Sequence, residues 1–253
     1  MPLSTSDLKW YGSESMPEDD VTIAGGDIDL TTKVIFTDIS TTDNITVISD
    51  SAGDTGDIVI TGRLSSGIID TETLTLNGTT RVVGSKLFER ILKITVDADT
   101  DGTVTITRDN TPTYTVIATI EVGIRKVVRL FYDAAGDAAG GSTRNFYQKI
   151  FLKNEHGSIA LTNARIAESA DPTTFITFDL ESAKDSDNST VDSRLDQAPA
   201  SGMLSSFSNS TKNIPGTYLG AGEYIGVWLK MAVPAGTSPT KNTYSLRTTG
   251  KSV

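Results

Sequence analysis

The sequence predicts an all-β protein: two antiparallel β-sandwich domains, immunoglobulin-like or jelly-roll-like, preceded by an extended N-terminal arm. Three observations carry that prediction. Segments 57–75 and 102–120 place apolar residues two apart, as at Ile58 and Ile60 or Val104 and Ile106. That period fits a half-buried strand and no helix. Short runs of this kind recur along the chain, with Asn77-Gly78 and Asp101-Gly102 between them. Such dipeptides accept the positive φ of tight turns and read as hairpin signals. Finally, 253 residues with 37% hydrophobic and 21% charged content suffice for one large or two ordinary packed domains.

Residues 1–30 show no strong period. They hold Trp10, Tyr11 and Met16, then Pro17, Glu18-Asp19-Asp20 and Gly25-Gly26. This reads as an extended arm that either packs back on its own domain or lies across a neighbour, with Trp10, Tyr11 and Met16 as its interaction anchors. Residues 31–123 form the first sandwich, with strands expected at 33–38, 45–49, 57–61, 71–76, 87–96, 103–108 and 114–122. Segment 125–133 carries Val127, Val128, Leu130 and Phe131 without clean alternation and reads as a connecting strand. The glycine-rich 134–142 is either a hairpin tip or a mobile loop. Residues 124–253 form the second sandwich, with strands at 146–153, 158–167, 174–180, 223–233 and 243–247. A polar insertion at 181–219, rich in Asp, Ser and Asn, interrupts it. Loops longer than ~15 residues are often functional or disordered. The insertion is therefore both the first choice of contact loop and readable as a mobile or merely space-filling excursion.

Charge is unevenly distributed. Residues 1–125 hold 9 Lys and Arg against 20 Asp and Glu, whereas 126–253 hold 13 against 12, within a net charge of −10. An acidic half without a Lys and Arg stripe repels phosphate backbones, so nucleic acid is not an expected partner. A solvated acidic face accounts for the asymmetry, with a cation or basic-protein site as the alternative. The N-terminal residues lack a basic start followed by an apolar run, and no apolar stretch approaches a membrane span. The expectation is synthesis in the cytoplasm, with no membrane partner. The absence of cysteine removes disulfides and thiolate metal sites.

The sharpest local motif is Asp97-Ala98-Asp99-Thr100-Asp101-Gly102. Its spacing matches the first half of an EF-hand loop, in which alternate carboxylates face one calcium ion. Arg108 stands at the twelfth position, where a bidentate Glu is needed, and the flanks read as strands. Asp97, Asp99 and Asp101 are thus a weak calcium candidate beside the plainer reading of a surface turn. Asp185, Asp187, Asn188 and Asp192 are weaker still. His156, the single histidine, sits in a turn and has no second histidine with which to build a metal site or acid–base pair. No cofactor and no catalytic residue are expected. Trp10, Tyr11, Phe131, Tyr132, Phe146, Tyr147, Tyr224 and Trp228 are candidates for a glycan platform. Along 223–230, Tyr224, Gly226, Trp228 and Lys230 share one strand face. Trp228 is partly exposed there or, as expected of a two-sided sandwich, buried.

Several segments resemble structural proteins of tailed bacteriophages and prophages. Lys9-Trp10-Tyr11-Gly12-Ser13, Met16-Pro17-Glu18-Asp19-Asp20, Gly25-Gly26 and Phe36-Thr37-Asp38-Ile39 are similar to the opening of such proteins. The stretch 56–94, GDIVITGRLSSGIIDTETLTLNGTTRVVGSKLFERILKI, is similar to their β-domains, as are 146–154, FYQKIFLKN, and 219–236, LGAGEYIGVWLKMAVPAG. The resemblance implies a non-enzymatic virion component, made in a bacterial cytoplasm. Its expected partners are the major capsid protein, other virion proteins and further copies of itself. A capsid decoration or cement protein is the favoured role. A tail, collar or baseplate component is the first alternative, and a host-glycan-binding adsorption module the second. A depolymerase-type enzyme is the weakest.

Overall fold

The computed structural model describes residues 2–34, 37, 39–132, 134, 141–186, 189–195, 197–237 and 243–252. Strands make up 51% of the described residues and helix 3%, so the all-β class predicted from alternation stands. The chain divides into two compact units. Unit 1 comprises Met1–Asp29 and Asp133–Val253, and unit 2 is Leu30–Tyr132.

Two strands open the chain, β1 (Leu8–Ser15) and β2 (Ala24–Lys33), and the last residues of β2 belong to unit 2. Unit 2 continues with β3 (Ile45–Ser49), β4 (Asp57–Leu64), β5 (Ile69–Thr75), β6 (Val82–Val83), β7 (Phe88–Val96), β8 (Val104–Arg108), β9 (Val116–Ile120) and β10 (Lys126–Val128). One sheet of this unit runs from the end of β2 through β10, β7 and β4 to β5; the other has the order β6-β3-β8-β9. The predicted pairs 57–75 and 102–120 are present, with Asp57 opposite Thr75 and Val104 opposite Ile120. The alternation sends Ile58, Ile60, Ile91 and Ile94 of the first sheet and Ile45, Val47, Val104 and Ile106 of the second into the interior. Fully burying each such side chain is worth roughly 1.5–3 kcal/mol. Asn77-Gly78 and Asp101-Gly102 differ from the hairpin reading. They follow β5 and β7 and carry the chain from one sheet to the other.

Unit 1 resumes with β11 (Arg144–Asn154), β12 (Leu161–Ala170), β13 (Ile176–Leu180), β14 (Thr190–Val191), β15 (Lys212–Asn213), β16 (Tyr218–Leu219), β17 (Tyr224–Val233) and β18 (Ser245–Ser252). Its main sheet has the order β13-β17-β11-β1-β2, with β14 paired to the start of β2. In the second sheet β12 pairs with β15, β16 and β18. Strands β11 and β17 pair over ten residues each and bury Phe146, Ile150, Leu152, Ile225, Val227 and Leu229.

Two expectations are corrected. The extended arm is no arm: Leu8 to Gly12 pair with Asn154 to Ile150, which places β1 between β11 and β2. Its edge-to-edge hydrogen bonding makes residues 8–15 part of unit 1's own sheet. The second domain likewise does not begin at 124. Residues 126–128 pair with β2 and β7 in unit 2, and unit 1 resumes at 133. The strand expected at 33–38 falls partly on the end of β2 and partly outside the described residues, as do most of 134–142, Asp187 and Asn188.

Candidate functional site

The richest concentration of chemistry lies in unit 1, where segment 181–219 crosses strands β11, β13 and β17. The segment is polar in composition, yet Val191, Arg194, Lys212, Ile214 and Leu219 are buried. Bridges from Glu181 to Met203, Leu195 to Phe146 and Ser208 to Phe178 stitch it to β11 and to the β13 region. Its described residues form a strap packed onto the sheet.

Three ionic clasps fasten the strap. Lys149 of β11 places its Nζ 2.8 Å from Glu181 Oε1, with the two side chains 0% and 1% exposed. The same ammonium donates to the Gly26 carbonyl at 2.9 Å and lies 3.4 Å from that of Ser189. Ser189 donates its hydroxyl to Glu181 Oε1, and the Trp228 indole donates to Ser189 Oγ at 2.8 Å. The second clasp is Lys212 Nζ to Asp179 Oδ1 at 3.2 Å. Ser205 completes it, donating its backbone N–H and its hydroxyl to the Asp179 carboxylate, each at 2.9 Å. In the third, buried Arg194 pairs with Asp20 at 3.0 Å and donates to the Glu18 carbonyl at 2.8 Å, fixing the β1–β2 turn. Buried charges persist only when paired and hydrogen-bonded, and each of these is.

Glycine makes the first clasp possible. A Cβ on Gly226 would stand 2.2 Å from Glu181 Oε2, so only a bare backbone leaves room for that carboxylate. Gly25, at φ +101°, passes so close to Trp228 and the Ser189 carbonyl that a Cβ would sit 2.7–2.8 Å from them. Around it Ala24, Tyr147, Val191 and Trp228 form one buried cluster, with Met203 and Phe207 of the strap packed against it.

The residues singled out from sequence take other places. Tyr11 is 4% exposed and gives its hydroxyl to Glu155, Trp10 is opposite Leu152 in β11, and Met16 is half-buried. Tyr11 is therefore an internal sheet residue and no exposed anchor. Trp228 is fully buried, as are Phe146 and Tyr147, so the sandwich interior claims the main aromatic candidates. His156 accepts hydrogen bonds at Nδ1 from the Ser158 and Ile159 N–H groups at 3.1 and 2.9 Å, which stabilises its turn. Asp185 accepts the Tyr224 N–H at 3.0 Å.

In unit 2, segments 53–58 and 96–101 line an acidic cleft of about 210 Å³. Asp97 Oδ1 accepts the Asp57 N–H at 2.9 Å, Asp99 pairs with Arg125 at 2.7 Å, and Asp101 gives its N–H to Asp54 Oδ1 at 2.7 Å. Asp97, Asp99 and Asp101 thus serve separate partners, and no group of three or more metal-ligating acidic, His or Cys side chains gathers among the described residues. Burial pushes the Asp54 carboxyl up, but hydrogen bonds from Ser49, Asp101 and Gly102 outweigh it and hold the group below its usual value. The clasps of unit 1 escaped sequence reading because Lys149 and Glu181, or Asp179 and Lys212, lie more than thirty positions apart. The signal available was two lysines in otherwise apolar or small-residue runs.

Among the described residues no helix is long and apolar enough to cross a membrane. In comparison with known proteins, no family model, no curated protein and no solved structure matches the chain.

Proposed function

We propose that this chain is a non-enzymatic structural component of a bacteriophage particle, with binding and stabilisation of the outer capsid shell as its role. The observation that carries the reading is the use made of buried charge. Lys149 with Glu181 and Lys212 with Asp179 fasten the strap to a sheet, and Arg194 fastens it to the β1–β2 turn. Rigid strands and pinned loops suit a protein that must hold one shape against neighbours. The resemblance of 56–94, 146–154 and 219–236 to virion β-domains points the same way. Burial of Trp228 removes the strongest element of a glycan platform, which counts against an adsorption module.

Two measurements test the reading. Purified particles analysed by quantitative gel densitometry should carry this chain in hundreds of copies, and the isolated protein should co-sediment with undecorated shells. A handful of copies per particle assigns it to the tail or baseplate instead. Its absence from particles, or reproducible turnover of polysaccharide lost on changing one carboxylate, ends the structural reading.

A further inference from the structure

The outer face of the β12–β18 pair carries Arg165, Arg247 and Lys251, all exposed. The register places Arg165 opposite Thr249 and Ala167 opposite Arg247, so the three cations share one side. The other side holds buried Ile166 with Thr248 and Leu246 with Glu168. At a rise of ~3.3 Å per residue, Arg247 to Lys251 spans about 13 Å. None of the three cations has an ion-pair partner among the described residues.

Unit 2 holds its complement. Asp50, Asp97, Asp99 and Asp101 are exposed around the cleft that Asp54 and Asp57 also line or border, and Arg125 is the one cation that pairs with this group among the described residues. Among the described residues none donates a hydrogen bond to the Asp101 carboxylate. Thr100, 6% exposed, lies in the cleft wall, and its buried hydroxyl has no hydrogen-bond partner among the described residues. An entering guanidinium or ammonium would meet the exposed Asp97, Asp99 and Asp101 carboxylates.

We propose that the partner of the cationic strip is the acidic cleft of a second copy of this chain, giving head-to-tail self-association. Two different surfaces meet, so the contact is heterologous and propagates to rings or open chains of copies. Complementary potentials of this kind steer association and make it salt-dependent. The proposal is independent of the particle reading, since it rests on charge placement alone.

Sedimentation velocity over a concentration series tests it, at ionic strengths of about 0.01 and 1 M, where the Debye length falls from roughly 30 to 3 Å. The expected result is a mass that rises with concentration at low salt and returns to monomer at high salt. Arg247→Glu with Lys251→Glu should weaken association by about tenfold or more, as should Asp99→Lys with Asp101→Lys, because like charges then face each other. Mixing the two double variants should restore assembly, since each supplies the surface the other needs. Circular dichroism checks the fold; should the lysine pair lower the melting temperature, Asp99→Asn with Asp101→Asn serves in its place. A wild-type monomer at low salt, association indifferent to both swaps, or no rescue on mixing overturns the proposal. So does a monomer that binds duplex DNA through Arg247 and Lys251, which would assign the strip to a polyanion.

Discussion

At the residue scale the decisive groups are a lysine and a glycine. Lys149 is buried with Glu181 Oε1 as its counter-charge, and Glu181 Oε2 has no hydrogen-bond partner among the described residues. Lys149→Met should therefore cost about 3–5 kcal/mol, the usual penalty for stranding a buried charge. Adding Glu181→Gln should recover a large part of it. Urea unfolding of the single and double variants measures both, and a single variant as stable as wild type contradicts the clasp. Gly25→Ala forces a side chain into left-handed backbone and against Trp228, and should destabilise by roughly 1–3 kcal/mol. Sequence showed Lys149 only as a charge inside an apolar run. Nothing in it names Glu181 as the partner, because a pair across two strands and a strap exists only once the register is set.

Elements were legible where one face meets solvent. Strands β4 and β5 alternate between a buried and a wetter face, β8 and β9 do so in part, and the predicted positions of all four agree with the observed ones to within two or three residues. Strand β1 was illegible for the opposite reason. It buries Tyr11, Gly12 and Ser13 in succession, so both of its faces are covered there and it needs no alternation. At the β12–β18 pair, burial first and then the nearby Asp171 charge raise the Glu168 carboxyl above its usual value, and its Oε2 has no hydrogen bond among the described residues. Ionised Glu168 thus opposes folding. Its contribution to stability is fully present below the unfolded carboxylate value and is lost as pH rises through the raised folded value. Asp7, Asp19, Asp54, Asp70 and Glu155 titrate in the opposite sense, so the test must be a difference. Glu168→Gln should be more stable than wild type at neutral pH, with the advantage shrinking on acidification. Parallel stability–pH curves for the two proteins would show that Glu168 does not titrate this way. Tyr244, close enough to feel Glu168 and Asp171, has its phenol raised by burial first and by these two charges after it. It resists ionisation, so above the unfolded tyrosine value of about 10 folding pays an increasing cost.

At the scale of the whole molecule, the chain order is that of an insertion. Unit 2 is continuous from Leu30 to Tyr132, while unit 1 is assembled from Met1–Asp29 and Asp133–Val253. Insertion of one compact unit into another is tolerated when the inserted unit's ends suit a single break in the host. Folding of unit 1 must then close a loop of over a hundred residues before β1 can pair with β11. Closure entropy grows only slowly with loop length, so stability suffers less than folding rate. Two truncations separate the units. The fragment 30–132 keeps both of its sheets, including the Lys126–Thr32 and Val127–Lys33 pairs, and should melt cooperatively by itself. Deleting residues 2–20 removes β1 from between β11 and β2, takes Tyr11 from the core, and strips Asp20 from buried Arg194. That deletion should abolish the unit 1 transition in a calorimetric scan and leave a transition matching fragment 30–132. If the truncated chain keeps both transitions and loses only its binding to particles, residues 2–20 act as a detachable arm, and the strand assignment of β1 gives way.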